Sequence, residues 1–144
     1  MSSLQKGVLA GSLLFSLSAL AVVADQQWGK WYGNISSMEF ELNARNPSGE
    51  VITLSCGSGH LAVSYSVPDE NYRVSSASGL SEPGLSINHQ NYSLNESAFN
   101  ALKNTGNGGA IRVISMNSAI SKDFSTSGLS EALRDVSWQD CINH

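Results

Sequence analysis

Two cysteines constrain the fold of this chain more than any other residues. The sequence has 144 residues and contains only Cys56 and Cys141, so a bond between them is the only intramolecular disulfide available. In the chain-entropy account, a bridge over a loop of this length stabilises a domain by about 4.5 kcal/mol. Such a bond requires an oxidising compartment. Free thiols, or a metal site that uses Cys56 and His60, are the alternatives.

The N-terminal segment indicates export. Residues 1–24 read MSSLQKGVLAGSLLFSLSALAVVA, in which Lys6 precedes an apolar run and small residues precede the polar Asp25. This order is typical of a secretory signal peptide that is cut after Ala24, although the run is almost long enough to stay in the membrane as an anchor. We therefore expect a periplasmic protein in which residues 25–144 form one domain.

The charge of the chain argues against nucleic acid and anionic lipid as partners. The sequence contains 8 Lys and Arg against 12 Asp and Glu, a formal net charge of −4. Loss of Lys6 with the signal peptide changes this charge from −4 to −5. Because no basic cluster offsets the excess of acid, we expect no binding to nucleic acid and, after signal cleavage, none to a membrane.

Alternation of apolar and polar residues predicts a mainly β fold. Residues 51–56 and 60–66 both alternate, and the loop Gly57-Ser58-Gly59 between them indicates a β-hairpin. Cys56 continues the apolar face of the first strand, and His60 falls on the opposite face from Leu61. Further strands are predicted at 28–32, 38–42, 85–87, 110–116 and 119–124. Loops are predicted at 43–49, 68–71 and 75–84.

Two segments have the helical period. Ser93 and Glu96 form a Ser-x-x-Glu capping box, and the helix that follows is predicted to end at Gly106. A second helix is predicted from apolar residues spaced at i, i+3, i+4 and i+7, namely Leu129, Ala132, Leu133 and Val136. This helix would return Cys141 to the strand that contains Cys56. We therefore expect a small antiparallel β-sandwich with two short helices, of which the C-terminal one is tethered by the disulfide.

The order of these features resembles a known family. It is similar to the periplasmic β-sandwich domain of type VI secretion accessory proteins of the VasI/TagO type and, more loosely, to the invasion-associated locus B family. In those families a Phe-x-x-x-Gly-Leu element opens a final helix that ends in a cysteine. The matching positions are Phe124, Gly128, Leu129, Ala132, Leu133 and Cys141, preceded by Trp28, Leu54 and Cys56. The resemblance implies a small exported sandwich without catalytic residues in its shared core.

A serine near a histidine raises the question of nucleophilic catalysis. Ser58 lies between two glycines, two residues before His60. The nucleophile elbow, however, needs Gly-x-Ser-x-Gly between a strand and a helix, whereas here a second strand follows. No acid that could complete a triad is identifiable. A hairpin turn explains Ser58 better, and we do not expect an enzyme.

Two other sets of side chains have chemical potential. His60, His89 and His144 are competent metal ligands, but their spacing matches no metal motif, and we expect neither a metal nor another cofactor. Glu39 and Glu41 fall on one strand face about 7 Å apart, a separation that the carboxylate pair of a glycoside hydrolase can have. A solvated strand face explains this pair more simply.

The expected function is the binding of a protein partner in the cell envelope. One version is an accessory or regulatory factor of a type VI secretion-like machine. The other is a periplasmic immunity protein, or an inhibitor of a toxin or cell-wall hydrolase. The stretch WGKWYG offers more aromatic surface than a short strand needs, and Trp28 is expected in the core. Partner contacts are predicted at Trp31, Tyr32, Asp69, Glu70, Asn71, Ser78 and Glu82.

Overall fold

The computed structural model describes residues 26–36, 39–57, 59–70, 72–75 and 83–143. In these ranges the chain is mainly antiparallel β, with eleven strands in two sheets and three short α-helices. Several sequence predictions lie outside the described residues, namely the signal peptide (1–24), Met38, Ser58, Asn71, Ser78, Glu82 and His144.

The larger sheet is a meander in which each strand is hydrogen-bonded to its neighbours in sequence. Its strands are β1 (Gln26–Trp28), β2 (Trp31–Ile35), β3 (Phe40–Arg45), β4 (Val51–Gly57), β5 (His60–Val67) and β6 (Tyr72–Ser75). The predicted hairpin is confirmed as β4 and β5. Gly57 pairs with His60, so only two residues separate the strands, where three were expected.

Three predictions for this sheet need correction. Residues 28–32 do not form one strand, because Gly29 adopts a φ of +56° and the chain reverses between the paired Trp28 and Trp31. The predicted loop 43–49 begins too early, since β3 continues to Arg45. The predicted loop 68–71 opens with a 3-10 turn, Pro68–Glu70, and a strand that was not predicted, β6, follows it.

The smaller sheet has the order β10-β9-β7-β8, with β11 also paired to β9. Its strands are β7 (Pro83–Ile87), β8 (Gln90–Ser93), β9 (Ala110–Ser115), β10 (Ser118–Ala119) and β11 (Phe124–Ser125). The β9–β10 turn is Met116-Asn117, with both φ angles positive, one residue earlier than expected. The predicted strand 119–124 is wrong, because the chain leaves β9 after Ala119 and pairs with it again only at Phe124.

The helices are α1 (Glu96–Lys103), α2 (Leu129–Ala132) and α3 (Trp138–Ile142). The N-cap of α1 is Asn95, whose side chain accepts hydrogen bonds from the N–H groups of Ser97 and Ala98, so the predicted Ser93 box is wrong. The prediction of a single C-terminal helix is also wrong. The helix ends after α2, and Ser137 and Asp140 form a capping box that starts α3.

Both sheets and all three helices bury apolar side chains in one core. The larger sheet contributes Trp31, Phe40, Leu42, Ala44, Ile52, Leu54, Cys56, Leu61, Val63 and Tyr65. The smaller sheet contributes Leu85, Ile87, Ile111, Val113 and Phe124. From the helices come Ala98, Phe99, Leu102, Leu129, Ala132 and Cys141, with Leu133 and Val136 just after α2. The fold class predicted from the sequence, a small antiparallel β-sandwich with short helices, is confirmed.

The predicted disulfide is present. It joins Cys56 on β4 to Cys141 on α3, with the two Cα atoms 5.2 Å apart, and both residues are buried. Helix α3 packs on β4 and β5, so the bond fastens the C-terminal helix to the middle of the larger sheet.

Candidate binding surface

The larger sheet turns one face to the core and the other to solvent. Because side chains alternate along a strand, the buried residues of each strand identify the residues that point outward. We name these solvent-directed residues the outer face; they are Gln27, Tyr32, Asn34, Glu41, Asn43, Arg45, Val51, Thr53, Ser55, His60, Ala62, Ser64, Ser66, Arg73 and Ser75. Most carry a small hydroxyl, amide or methyl group, so the outer face offers many polar atoms close to the backbone.

The strand register arranges most of the outer face in three rows that run across the sheet. The central row is Gln27, Tyr32, Asn43, Thr53, Ser64 and Ser75. A row on one side contains Asn34, Glu41, Ser55 and Ala62. The row on the other side contains Arg45, Val51, Ser66 and Arg73. The carboxylate of the outer face and its guanidinium groups therefore lie on opposite sides of a neutral central row.

Hydrogen bonds within the central row fix its side chains. Thr53 Oγ1 donates to Asn43 Oδ1 over 2.6 Å. Asn43 Nδ2 in turn donates to the carbonyl oxygen of Tyr32 over 3.3 Å. Three neighbouring strands are thus connected on their solvent side, and these polar groups already have a defined orientation before anything binds.

The acidic end of the outer face contains two shallow grooves. They have volumes of about 300 and about 280 Å³ and share Glu39, Phe40 and Glu41; Ser55 and His60 line the second. Glu39 and Glu41 are both exposed, which agrees with a solvated strand face. No group of three His, Cys, Asp or Glu side chains that could hold a metal ion occurs in the described part of the chain.

The predicted aromatic anchors differ in their exposure. Tyr32 is half-buried on the outer face. Trp31 is completely buried, and its Nε1 donates a 2.8 Å hydrogen bond to the carbonyl oxygen of Ser125 on the other sheet. The interpretation of Trp31 as a surface contact is therefore corrected, since alternation turns its side chain into the core. Trp28 packs against that core as expected.

The predicted acidic contacts lie beyond the ends of the strands. Asp69 and Glu70 are exposed in the 3-10 turn between β5 and β6, at the end of the sheet where Arg45 and Arg73 lie. The structure therefore places Tyr32 on the outer face and Asp69 and Glu70 at its margin. Of the two histidines among the described residues, His60 is exposed at the start of β5 and His89 is in the β7–β8 turn.

One polar group was missed by the sequence analysis. Glu50, which directly precedes β4, is only 8% exposed, and its carboxylate accepts hydrogen bonds from Tyr65, Asn46 and the N–H of Lys122. Burial raises the pKa of Glu50, but these hydrogen bonds and the nearby positive charge of Lys122 outweigh it, so the pKa lies below its usual value. The one available signal was the turn sequence Asn46-Pro47-Ser48-Gly49 that precedes Glu50.

No helix in the described ranges combines the length and the apolar character needed to cross a bilayer. The residues that carry the family resemblance are buried, except for the half-buried Trp28, and this burial explains the residue types but indicates no function. Comparison of the chain with protein-family models, with curated proteins and with solved structures finds no match.

Proposed function

We propose that this chain is an exported, non-catalytic binding protein of the periplasm and acts as an accessory or regulatory factor of a type VI secretion-like envelope machine. Its contact with a protein partner is made by the outer face. The observation that carries the proposal is the combination of a rigid scaffold and a polar surface: six paired strands present hydroxyl, amide and charged groups on a sheet that is packed on its other side and bound to α3 by the disulfide.

Rigidity matters because a partner then need not order this surface. Ordering loose side chains costs about 0.5–1.5 kcal/mol each at an interface. The central row has already lost this freedom through the bonds between Thr53, Asn43 and Tyr32. The disulfide also supports an oxidising location, and the predicted signal peptide supplies the route to it.

A photo-crosslinking experiment in living cells tests the surface. A photoreactive amino acid at Thr53 lies in the centre of the outer face, whereas the same residue at Ser86 lies on the solvent side of the smaller sheet. We expect a covalent adduct with an envelope protein from position 53 and none from position 86. Equal adducts from both positions, or none from position 53, contradict the proposed surface.

Deletion of the gene tests the role. An accessory factor predicts weaker secretion without any toxicity to the producing cell. Self-intoxication after deletion, with secretion unchanged, would contradict the accessory role and support an immunity protein. The predicted cleavage of the signal peptide after Ala24 is tested in parallel: mass spectrometry of the periplasmic fraction should find a protein that begins at Asp25.

A further inference from the structure

We propose that a second copy of this chain docks on the outer face, with a two-fold axis lying in the interface along the central row. This inference rests on the proposed function only in using the same surface, and it names an occupant for that surface. The resulting dimer is isologous, because each copy contributes the same residues.

The positions of Glu41 and Arg45 give the dimer its symmetry. Both residues lie on β3 and point outward, with Asn43 of the central row between them. A two-fold axis along the central row reverses the direction of the strand in the second copy. Glu41 of each copy then lies opposite Arg45 of the other, so one strand supplies both halves of two reciprocal ion pairs.

These two charges have no opposite charge of their own among the described residues. Two ion pairs in these ranges join Arg112 to Asp123 and Arg134 to Asp135, and neither includes Glu41 or Arg45. Glu41 and Arg45 are both exposed, and Arg45 Nη1 donates a long hydrogen bond, 3.5 Å, to the carbonyl oxygen of Gly49. An opposite charge brought by a second copy would therefore compete with no ion pair at either residue, and at Arg45 only with this long hydrogen bond.

The middle of the outer face permits close approach. Thr53, Ser55, Ala62, Ser64 and Ser66 have short side chains and are half-buried. On the axis, Thr53 and Ser64 meet their own equivalents. The Thr53 hydroxyl donates to Asn43 and can still accept a hydrogen bond, whereas the Ser64 hydroxyl can both donate and accept. The other charges of this region, Lys30, Glu39, Asp69, Glu70 and Arg73, lie nearer the margins of the sheet.

The size of the surface sets the expected affinity. Six strands about 4.8 Å apart, each with about five residues that rise about 3.3 Å, give a flat area on the order of 400 Å² per copy. Stable interfaces bury about 800 Å² per partner. We therefore expect a reversible dimer with a dissociation constant on the order of micromolar.

Sedimentation velocity of the purified mature protein over a range of concentrations tests the dimer. Glu41→Arg and Arg45→Glu should each weaken association about tenfold or more, because each removes two ion pairs and creates two like-charge contacts. The double variant Glu41→Arg/Arg45→Glu should restore association, because the exchanged charges are again complementary. Glu131→Arg on α2 makes the same charge change away from the interface and should have no effect.

Cysteine crosslinking tests the position of the axis independently. Both native cysteines are in the disulfide, so a cysteine introduced at Thr53 supplies the only free thiol. Oxidation should link two copies through Thr53→Cys but not through Ser86→Cys. A protein that is monomeric at all concentrations, or a dimer that ignores the charge variants and does not crosslink at position 53, overturns the inference.

The two proposals fail separately. A monomer that still forms an adduct with an envelope protein at position 53 contradicts the dimer and leaves the proposed function standing. The reverse outcome is that the charge exchange restores the dimer and that position 53 captures only the same chain in cells. This outcome contradicts the proposed protein partner and supports the dimer.

Discussion

Tyr65 on β5 donates a 2.6 Å hydrogen bond from its hydroxyl to Glu50 Oε2. The other oxygen of the same carboxylate accepts bonds from Asn46 Nδ2 at 2.7 Å and from the N–H of Lys122 at 2.8 Å. Lys122 lies between β10 and β11, so this carboxylate connects the larger sheet to the smaller one. Buried polar groups are stable only when they are hydrogen-bonded, and here each carboxylate oxygen has at least one donor.

Replacement of Tyr65 by Phe should destabilise the protein by about 1.5–3 kcal/mol, the usual contribution of a hydrogen bond to a charged group. The ring remains in the core, so only the donor is lost. Urea denaturation followed by circular dichroism measures the change. Tyr72→Phe removes a hydroxyl from a side chain that is 48% exposed and should change the free energy of unfolding by much less. Equal effects of the two variants would contradict the role of the Tyr65–Glu50 bond.

Stability should depend on pH through the same pair. Because the folded state holds the pKa of Glu50 below its usual value of 4.5, the stabilisation is complete above that value. It should decrease as the pH falls below 4.5 and be lost once the pH passes the folded pKa. Glu50→Gln should flatten this part of a plot of unfolding free energy against pH. If the free energy of unfolding falls as steeply with acid in the variant as in the parent protein, this assignment to Glu50 is contradicted.

Removal of the disulfide should cost about 4.5 kcal/mol in the chain-entropy account, since the bond closes a loop of 85 residues. The double variant Cys56→Ala/Cys141→Ala, compared with the parent by urea denaturation, measures this. A reducing agent should lower the stability of the parent protein towards that of the variant and leave the variant unchanged. Identical stability of the parent with and without reductant would contradict a stabilising role for the bond.

Alanine substitution at two glycines with positive φ distinguishes the loss of stability caused by steric overlap from the loss caused by backbone strain. Gly128 (φ +91°) and Gly106 (φ +72°) both adopt the left-handed conformation. A Cβ at Gly128 would overlap the carbonyl of Trp28, whereas a Cβ at Gly106 would have no atom within 4 Å. Gly106→Ala should therefore cost about 1 kcal/mol, and Gly128→Ala clearly more. Thermal denaturation of both variants gives the comparison, and equal losses would contradict the overlap.

The cap of α1 can be identified by two alanine substitutions. Asn95→Ala should destabilise the protein by about 1 kcal/mol, because the side chain of Asn95 accepts from two N–H groups of the first turn. Ser93→Ala should have a smaller effect, since Ser93 is exposed at the end of β8. Chemical denaturation distinguishes the two, and a larger loss from Ser93→Ala would restore the capping box that the sequence predicted.

The sequence predicted those parts of the fold whose pattern is local. The hairpin of β4 and β5 was predictable because alternation runs through both strands and glycines separate them. The disulfide followed from there being two cysteines. The end of the helix after α2 was not predicted. The apolar spacing is the same for one helix as for two short helices, because both arrangements bury Leu133 and Val136. Preference between Ser93 and Asn95 as a cap depends on where β8 ends, which neither residue determines.

The outer face was only partly predictable. Glu39 and Glu41 were expected on a solvent-exposed face, but the sequence does not show which residues of β2 and β5 lie beside them. Trp31 was assigned to the wrong side because the reversal at Gly29 was not recognised. The role of Glu50 was inaccessible, since it depends on the backbone of Lys122, 72 residues later, and no periodic pattern connects them.

The disulfide also imposes an order of events on the chain. Cys56 lies in β4, whereas Cys141 lies in α3, after every strand of the described ranges, so synthesis delivers one sulfur long before the other. Contacts between sequence neighbours form early, and the meander consists of such contacts, so it can assemble around an unpaired thiol. We therefore expect the disulfide to form late in folding, after α3 has docked on the larger sheet.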